Sequence, residues 1–178
     1  MSSSQISIVP FASPLGELIL GSYEDKLCLC DWKYRKQREQ IDARLKKYFN
    51  ASFYNEPTEV TENTINQLEE YFSGRRQTFD LPLIMAGTEF QKTVWNKLVD
   101  IPFGQTQSYL QLSRNLGNEK AIRAVGTANG ANAISIIIPC HRIIGSQGEL
   151  IGYAGGIDTK KKLLRLEGSL ENDQLALF

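Results

Sequence analysis

From Ile6 to Trp32 the apolar residues of this chain come in short runs, interrupted at Ser13-Pro14-Leu15-Gly16 and again at Tyr23-Glu24-Asp25-Lys26. No other feature constrains the fold as much. Apolar runs of strand length separated by turn signals commit the first part of the chain to a small β-sheet. A sheet with an apolar face must be covered, and the following segments can cover it. Arg35–Phe49 places Ile41, Leu45, Tyr48 and Phe49 at helical spacing, and Glu62–Phe72 repeats the pattern with Ile65, Leu68, Tyr71 and Phe72. Ser73-Gly74-Arg75-Arg76 and Phe79–Met85, with Pro82 inside, hold no sustained period and are expected to form a linker.

Beyond residue 87 the signals become helical. Thr88-Glu89-Phe90-Gln91 has the spacing of a capping box and predicts a helix to about Val99. After the turn Ile101-Pro102-Phe103-Gly104 the same signature returns at Ser108-Tyr109-Leu110-Gln111, opening a short helix that Gly117 ends. Asn118 can cap a third helix, Glu119–Asn129, closed by Gly130. Two short helices joined by Gly117-Asn118 resemble a helix-turn-helix, its second helix carrying Lys120, Arg123 and the small residues Ala121, Ala124, Gly126 and Ala128. The β-branched run Ile134–Ile138 reads as a buried strand ending in Pro139-Cys140-His141-Arg142. The expected fold class is therefore α/β, in the α+β sense. Residues 1–87 form an N-terminal α/β domain. Residues 88–170 form a mostly helical C-terminal domain with the helix-turn-helix and a short strand carrying the PCHR motif, and residues 171–178 are a tail.

Charge narrows the function classes. Lys plus Arg and Asp plus Glu each total 20, so the whole molecule exerts no long-range pull on a polyanion, and any affinity for nucleic acid must come from local placement. The N-terminus is polar and no run reaches the roughly 18 apolar residues of a membrane span, so a cytoplasmic protein without membrane contact is expected. Three cysteines, an odd number, argue against a secreted disulfide framework. Cys28 and Cys30 alternate with Leu27 and Leu29 as small side chains on one face of a strand. Zinc would need further ligands where His141 is the only histidine, so no metal or other cofactor is expected.

Chemistry concentrates at Cys140. The thiolate is the reactive form of cysteine, and a neighbouring imidazole or cation can lower the thiol pKa enough to populate it. On a strand, however, Cys140 and His141 would point to opposite faces, and spacing alone leaves a buried structural cysteine equally open.

The stretch Ile137-Ile138-Pro139-Cys140-His141-Arg142-Ile143-Ile144 resembles the active-site signature of the O6-alkylguanine-DNA alkyltransferases, the methylated-DNA-protein-cysteine methyltransferases. The resemblance extends through Phe90–Trp95, Ile101–Gly104, Ser108-Tyr109, Lys120–Gly126, Asn132, Gly152–Gly156 and Leu163–Gly168, and reaches the first domain only at the turn Ser13–Gly16. It implies direct-reversal DNA repair in a single-turnover reaction: Cys140 takes the alkyl group from O6 of guanine, or from O4 of thymine, and keeps it as a thioether. His141 is implied as base through a water, Glu167 as the carboxylate orienting it in a helix that Asp158 could cap, and Tyr109 as proton donor to the leaving base. Asn132 is implied to tie the recognition helix to the active-site turn. Arg123 would fill the stack left by the flipped nucleotide. Asn118, Tyr109, Ala121, Ala124, Gly126 and Ser146 would meet double-stranded DNA along its minor groove, and Tyr153, Ala154 and Ile143 would line the base pocket. Ala154 stands where some members carry a serine, which leaves only a backbone N–H at that position. A monomer is expected.

From the residues alone, blander readings remain. Tyr109 can be packing, Glu167 a solvated last-turn acid, Asn132 an Asx turn and Arg123 a solvated cation on a packed alanine face. The competing functions are a non-catalytic DNA-binding helix-turn-helix module and a thiol hydrolase built on Cys140 and His141.

Overall fold

A computed structural model describes residues 4–170, so the expected tail, 171–178, lies outside the described residues. The chain divides into two compact units between Thr88 and Glu89. In the first, β1 (Ser4–Ser13), β2 (Gly16–Tyr23) and β3 (Lys26–Trp32) form an antiparallel meander. The first turn is held by Ser13, whose Oγ donates to the Gly16 carbonyl and accepts from the Leu15 amide. The second places Glu24 and Asp25 at φ 46° and 60°, the left-handed pair that matches the twist of a tight hairpin. Helix α1 (Arg38–Phe49) ends on Asn50 in the left-handed conformation, and β4 (Ala51–Asn55) then pairs parallel with β1, giving the order β3-β2-β1-β4. Helix α2 (Glu59–Phe72) opens on a capping box between Thr58 and Thr61. Ile6, Leu18, Leu20, Leu27, Leu29, Leu45, Leu68 and Tyr71 make the core.

In two places this unit departs from expectation. Strand β4 was not legible, because five residues after a helix cap carry too little alternation to register. The predicted linker is in part a sheet element: Leu27 donates to the Pro82 carbonyl and accepts from the Ile84 amide, so residues 82–84 cover the β3 edge. Beyond Lys26, β3 has no polar face. Cys28 and Cys30 are as buried as Leu27 and Leu29, and Asp31 is buried against Arg35 and Arg38.

The second unit contains α3 (Glu89–Val99), the two-residue β5 (Gln107–Ser108), α4 (Tyr109–Asn115), a 3₁₀ turn at Glu119–Ala121 and α5 (Ile122–Gly130). After a 3₁₀ turn at Cys140–Arg142 come β6 (Ile143–Ile144), parallel to β5, and α6 (Ile157–Leu166). The Trp95 indole donates to the Ala128 carbonyl at 2.8 Å and fastens α3 to α5. Ser108 and Gln111 form the expected capping box, and Gly117, at φ 80°, ends α4 as expected. Asn118 caps, but what it caps is the 3₁₀ turn. Gly130 is the last residue of α5, inside the helix it was expected to close, and Asp158 lies within the first turn of α6, whose N-cap is Gly156.

The largest departure is Ile134–Ile138. Burial is as expected, with Ile136 1% and Ile138 0% exposed, but no strand forms. The segment is a chain of tight turns: Ile137 donates to Ser135, Ile138 to Ile134 and Cys140 to Ile138, with Ile136 at φ +72°. A β-branched residue there is strained, so its surroundings must hold it. Asn132 does so, its carboxamide accepting from the Ile134 amide and donating to the Ile134 and Ile138 carbonyls. The short strand of the motif follows it, at Ile143-Ile144, instead of leading into it. Among the described residues no helix is long and apolar enough to cross a membrane.

Candidate active site

Cys140 and His141 are consecutive residues of one 3₁₀ turn and are almost wholly buried. Successive side chains on such a turn diverge by about 120°, so the imidazole points away from the thiol. It points at Glu167, the C-cap residue of α6, with Nε2 2.8 Å from Oε1. Arg142 closes the cluster from the other side: its Nε and a terminal nitrogen each donate to Glu167 at 2.9 Å. The other terminal nitrogen donates to the Ile101 carbonyl, and the guanidinium lies over the Phe103 ring. Gly104 is required beside it. At φ +83° it passes so close that a Cβ would stand 3.1 Å from the Glu167 carbonyl. The Ile101–Gly104 turn therefore seats the Arg142–Glu167 pair.

These contacts set the charge states. Burial alone would raise the Glu167 carboxyl, but the hydrogen bonds and charges of His141 and Arg142 outweigh it and bring it down to about 2. Burial lowers His141, against the opposing pull of Glu167. The imidazole is thus neutral at neutral pH beside an ionised carboxylate. A carboxylate only accepts, so Nε2 carries the proton and donates it to Glu167, which leaves the lone pair on Nδ1. Nδ1 is buried and has no hydrogen-bond partner among the described residues.

Matches to families of known proteins follow the two units. Residues 10–85 match the ribonuclease-like domain of 6-O-methylguanine DNA methyltransferase, and residues 89–169 match its DNA-binding domain. The methylated-DNA–protein-cysteine methyltransferase of Methanosarcina acetivorans is 45% identical over 159 residues, covering 89% of this chain and 96% of that one. The chain belongs to this methyltransferase family. Its Mycobacterium leprae relative is 40% identical across 93% of this chain and 94% of its own. The solved structure of Mycobacterium tuberculosis OGT in complex with DNA superposes with a TM-score of 0.76 at 36% identity, covering 93% of both chains.

For a member of this family, the remaining residues singled out in the sequence fall into two groups. Tyr109, first residue of α4, sends its hydroxyl to the Ile151 carbonyl at 3.3 Å, and its ring lies beside Gly126, where an added Cβ would sit 3.8 Å from it. Burial, then the charge of Cys140, raises its pKa. Tyr153 is half-buried, its ring 6.3 Å from the His141 ring and edge-on to it, with Ala154 half-buried beside it. Ile143 is fully buried and joins the core. These residues gather around Cys140 and His141, whereas Arg123, Ala124 and Asn118 are exposed on the α4–α5 side and Ala121 and Gly126 are partly so. Ser146 is exposed and lines, with Ser108, Gln111 and Arg114, a groove of about 310 Å³. The expected small-residue face is split, since Ala128 is buried under Trp95 while Ala124 is exposed.

Sequence reasoning missed three functional candidates. Arg142 was read only as part of the motif, although it anchors Glu167. Asn129 is buried, with Nδ2 reaching the Cys140 carbonyl at 3.5 Å, the outer limit of a hydrogen bond. Lys160 is wholly buried in α6. Of the three, only Asn129 had a usable sign: an amide on the helix face that also carries Val125.

Proposed function

We propose that this protein repairs alkylated DNA by moving the alkyl group from O6 of guanine to Sγ of its own Cys140. The observation that carries this reading is the Cys140–His141–Glu167–Arg142 arrangement within a chain of the methyltransferase family: a buried thiol beside a neutral imidazole whose free nitrogen is Nδ1. In that chemistry His141 takes the thiol proton at Nδ1 through a bridging water, and Glu167 stabilises the imidazolium that results. The Cys140 thiolate forms a bond to the alkyl carbon as the carbon–O6 bond breaks. The electron pair passes into the guanine, which accepts a proton from Tyr109. The product is a thioether, a poor leaving group, and among the described residues no second nucleophile faces it, so each molecule acts once.

DNA enters along α5. A base inside a duplex cannot present O6 to a buried thiol, so the nucleotide must be turned out of the stack at a cost of a few kcal/mol. Arg123, exposed on α5, fills the gap. Ala121, Ala124 and Gly126 permit close approach to the minor groove, whose degenerate pattern suits a repair protein that must ignore sequence. Asn118 and Ser146 contact the backbone, and the half-buried Tyr153 and Ala154, beside Ile143, receive the base. Double-stranded DNA carrying the lesion is the partner, met by a monomer.

The deciding experiment is mass spectrometry of the protein after mixing with a duplex containing one O6-methylguanine. One methyl on the peptide carrying Cys140, with no turnover beyond one equivalent, is the expected result, and Cys140→Ser should bind the duplex and gain nothing. Methyl transfer that persists in Cys140→Ser would refute the assignment of the acceptor, and an unmodified wild type that still binds would leave a lesion-binding module.

A further inference from the structure

Asn129 stands about one turn beyond Gly126 on the same face of α5, the face against which the Tyr109 ring lies. It is 6% exposed. Its carboxamide faces two groups of the reaction. Nδ2 reaches the Cys140 carbonyl at 3.5 Å. The same side chain acts on the Tyr109 hydroxyl: burial, then the charge of Cys140, raise the pKa of that group, and hydrogen bonding from Asn129 works against both. A hydrogen bond that lowers the pKa of a phenol is one donated to its oxygen, and Nδ2 is the only donor a carboxamide has.

The proton of that hydroxyl is loosely held. Its O–H donates to the Ile151 carbonyl at 3.3 Å. The Lys160 ammonium already donates to that oxygen at 3.0 Å, as it does to the carbonyls of Ile143 and Gly152. With its oxygen engaged by Nδ2 and its nearest acceptor distant and shared, Tyr109 keeps its proton available for the base. The arrangement has a cost. Oδ1 of Asn129 is buried and has no hydrogen-bond partner among the described residues. A buried polar atom left unpaired is destabilising, and an aliphatic side chain of similar size would fill the place without one. Packing therefore gives no reason for an asparagine at this point of α5, whereas its donor does.

We propose that Asn129 is a positioning residue for the proton transfer: its Nδ2 holds the Tyr109 oxygen so that the O–H is turned toward the departing base. The proposal rests on the alkyl-transfer reading above, in which Tyr109 supplies the proton. As the carbon–O6 bond breaks and its electron pair passes into the guanine, the Tyr109 O–H bond breaks and the proton goes to the base. The phenolate left behind is stabilised by the same N–H until it takes a proton from water.

Single-turnover methyl transfer from an O6-methylguanine duplex, measured on the full chain, tests it in four proteins: wild type, Asn129→Leu, Tyr109→Phe and the double variant. Tyr109→Phe should slow transfer about 100-fold, as loss of a general acid does. Asn129→Leu should slow it about tenfold, and the double variant should be within about twofold of Tyr109→Phe, because no hydroxyl remains to be held. A second readout is alkylation of Cys140 by iodoacetamide, read on the peptide that carries it. Iodide leaves without a proton, so this rate should stay within about twofold in Asn129→Leu. A wild-type transfer rate in either single variant, an equal loss from Asn129→Leu in both backgrounds, or an iodoacetamide rate that falls in step with transfer overturns the proposal. Should Asn129→Leu not fold, Asn129→Ala, which adds no bulk, is measured in its place, and failure of both to fold overturns the proposal by making the residue structural. A wild type that takes no methyl from the duplex sinks the alkyl-transfer reading itself, whereas a methylated wild type beside an unaffected Asn129→Leu sinks only the positioning role.

Discussion

Glu167 accepts three hydrogen bonds on two oxygens, from one imidazole and one guanidinium, in a cluster closed to solvent. Its position at the end of α6 is one the helix dipole disfavours for an acid, and Arg142 more than offsets that. A glutamine there keeps the shape but turns an N–H toward one of the two donors. Glu167→Gln should therefore reduce the transfer rate about 10- to 100-fold and destabilise the protein by about 3 kcal/mol, since Arg142 loses its anion in a buried site. Single-turnover kinetics and urea unfolding measure the two effects, and an unchanged rate would show that orienting His141 does not matter.

On α5 the exposed Arg123 is separated in role from the residues that seat the helix. Val125, Ala128 and Asn129 face inward, and Gly126 lies beside the Tyr109 ring. Arg123→Ala should thus leave stability within about 0.5 kcal/mol, as surface substitutions do. It should slow repair of a duplex at least tenfold while reaction with free O6-benzylguanine stays within about twofold, because only the duplex requires extrusion. Equal losses on both substrates would remove the finger role. The element that follows α5 makes a different point. The segment from Ala131 to Pro139 has no regular structure, yet it is the most buried stretch of the unit, held by the Asn132 carboxamide and by the isoleucines it carries. That rigidity fixes the turn that carries Cys140 and aims the His141 imidazole at Glu167.

For the molecule as a whole, the buried cluster makes stability depend on pH with a definite sign. Glu167 has a lower pKa folded than unfolded, so its contribution is complete above about 4.5 and is lost as the pH falls toward about 2. His141, also lowered, acts in the same direction below its ordinary value, because the folded state resists its charging. Acidification from pH 7 to pH 3 should cost about 2 kcal/mol through Glu167, seen as a falling urea midpoint, and Glu167→Gln should flatten that slope. Equal slopes in both proteins would show the carboxylate to be unshifted. Much of this could be read before any coordinates. Turn signals and apolar runs specified the meander β1–β3, helical spacing specified α1 and α2, and capping boxes specified α4, because each is written in residues that touch along the chain. The reactive pair was legible as a motif for the same reason. What the chain alone could not show depends on residues that meet only in space. Covering of the β3 edge by Pro82–Ile84, the seat that Ile101–Gly104 provides for Arg142, and the burial of Lys160 against three carbonyls all join segments far apart in sequence. The Ile134–Ile138 run shows the limit plainly: β-branched composition determined that it would be buried, but the tertiary structure decided its conformation, since an asparagine carboxamide supplied the backbone partners that a neighbouring strand would otherwise have had to provide.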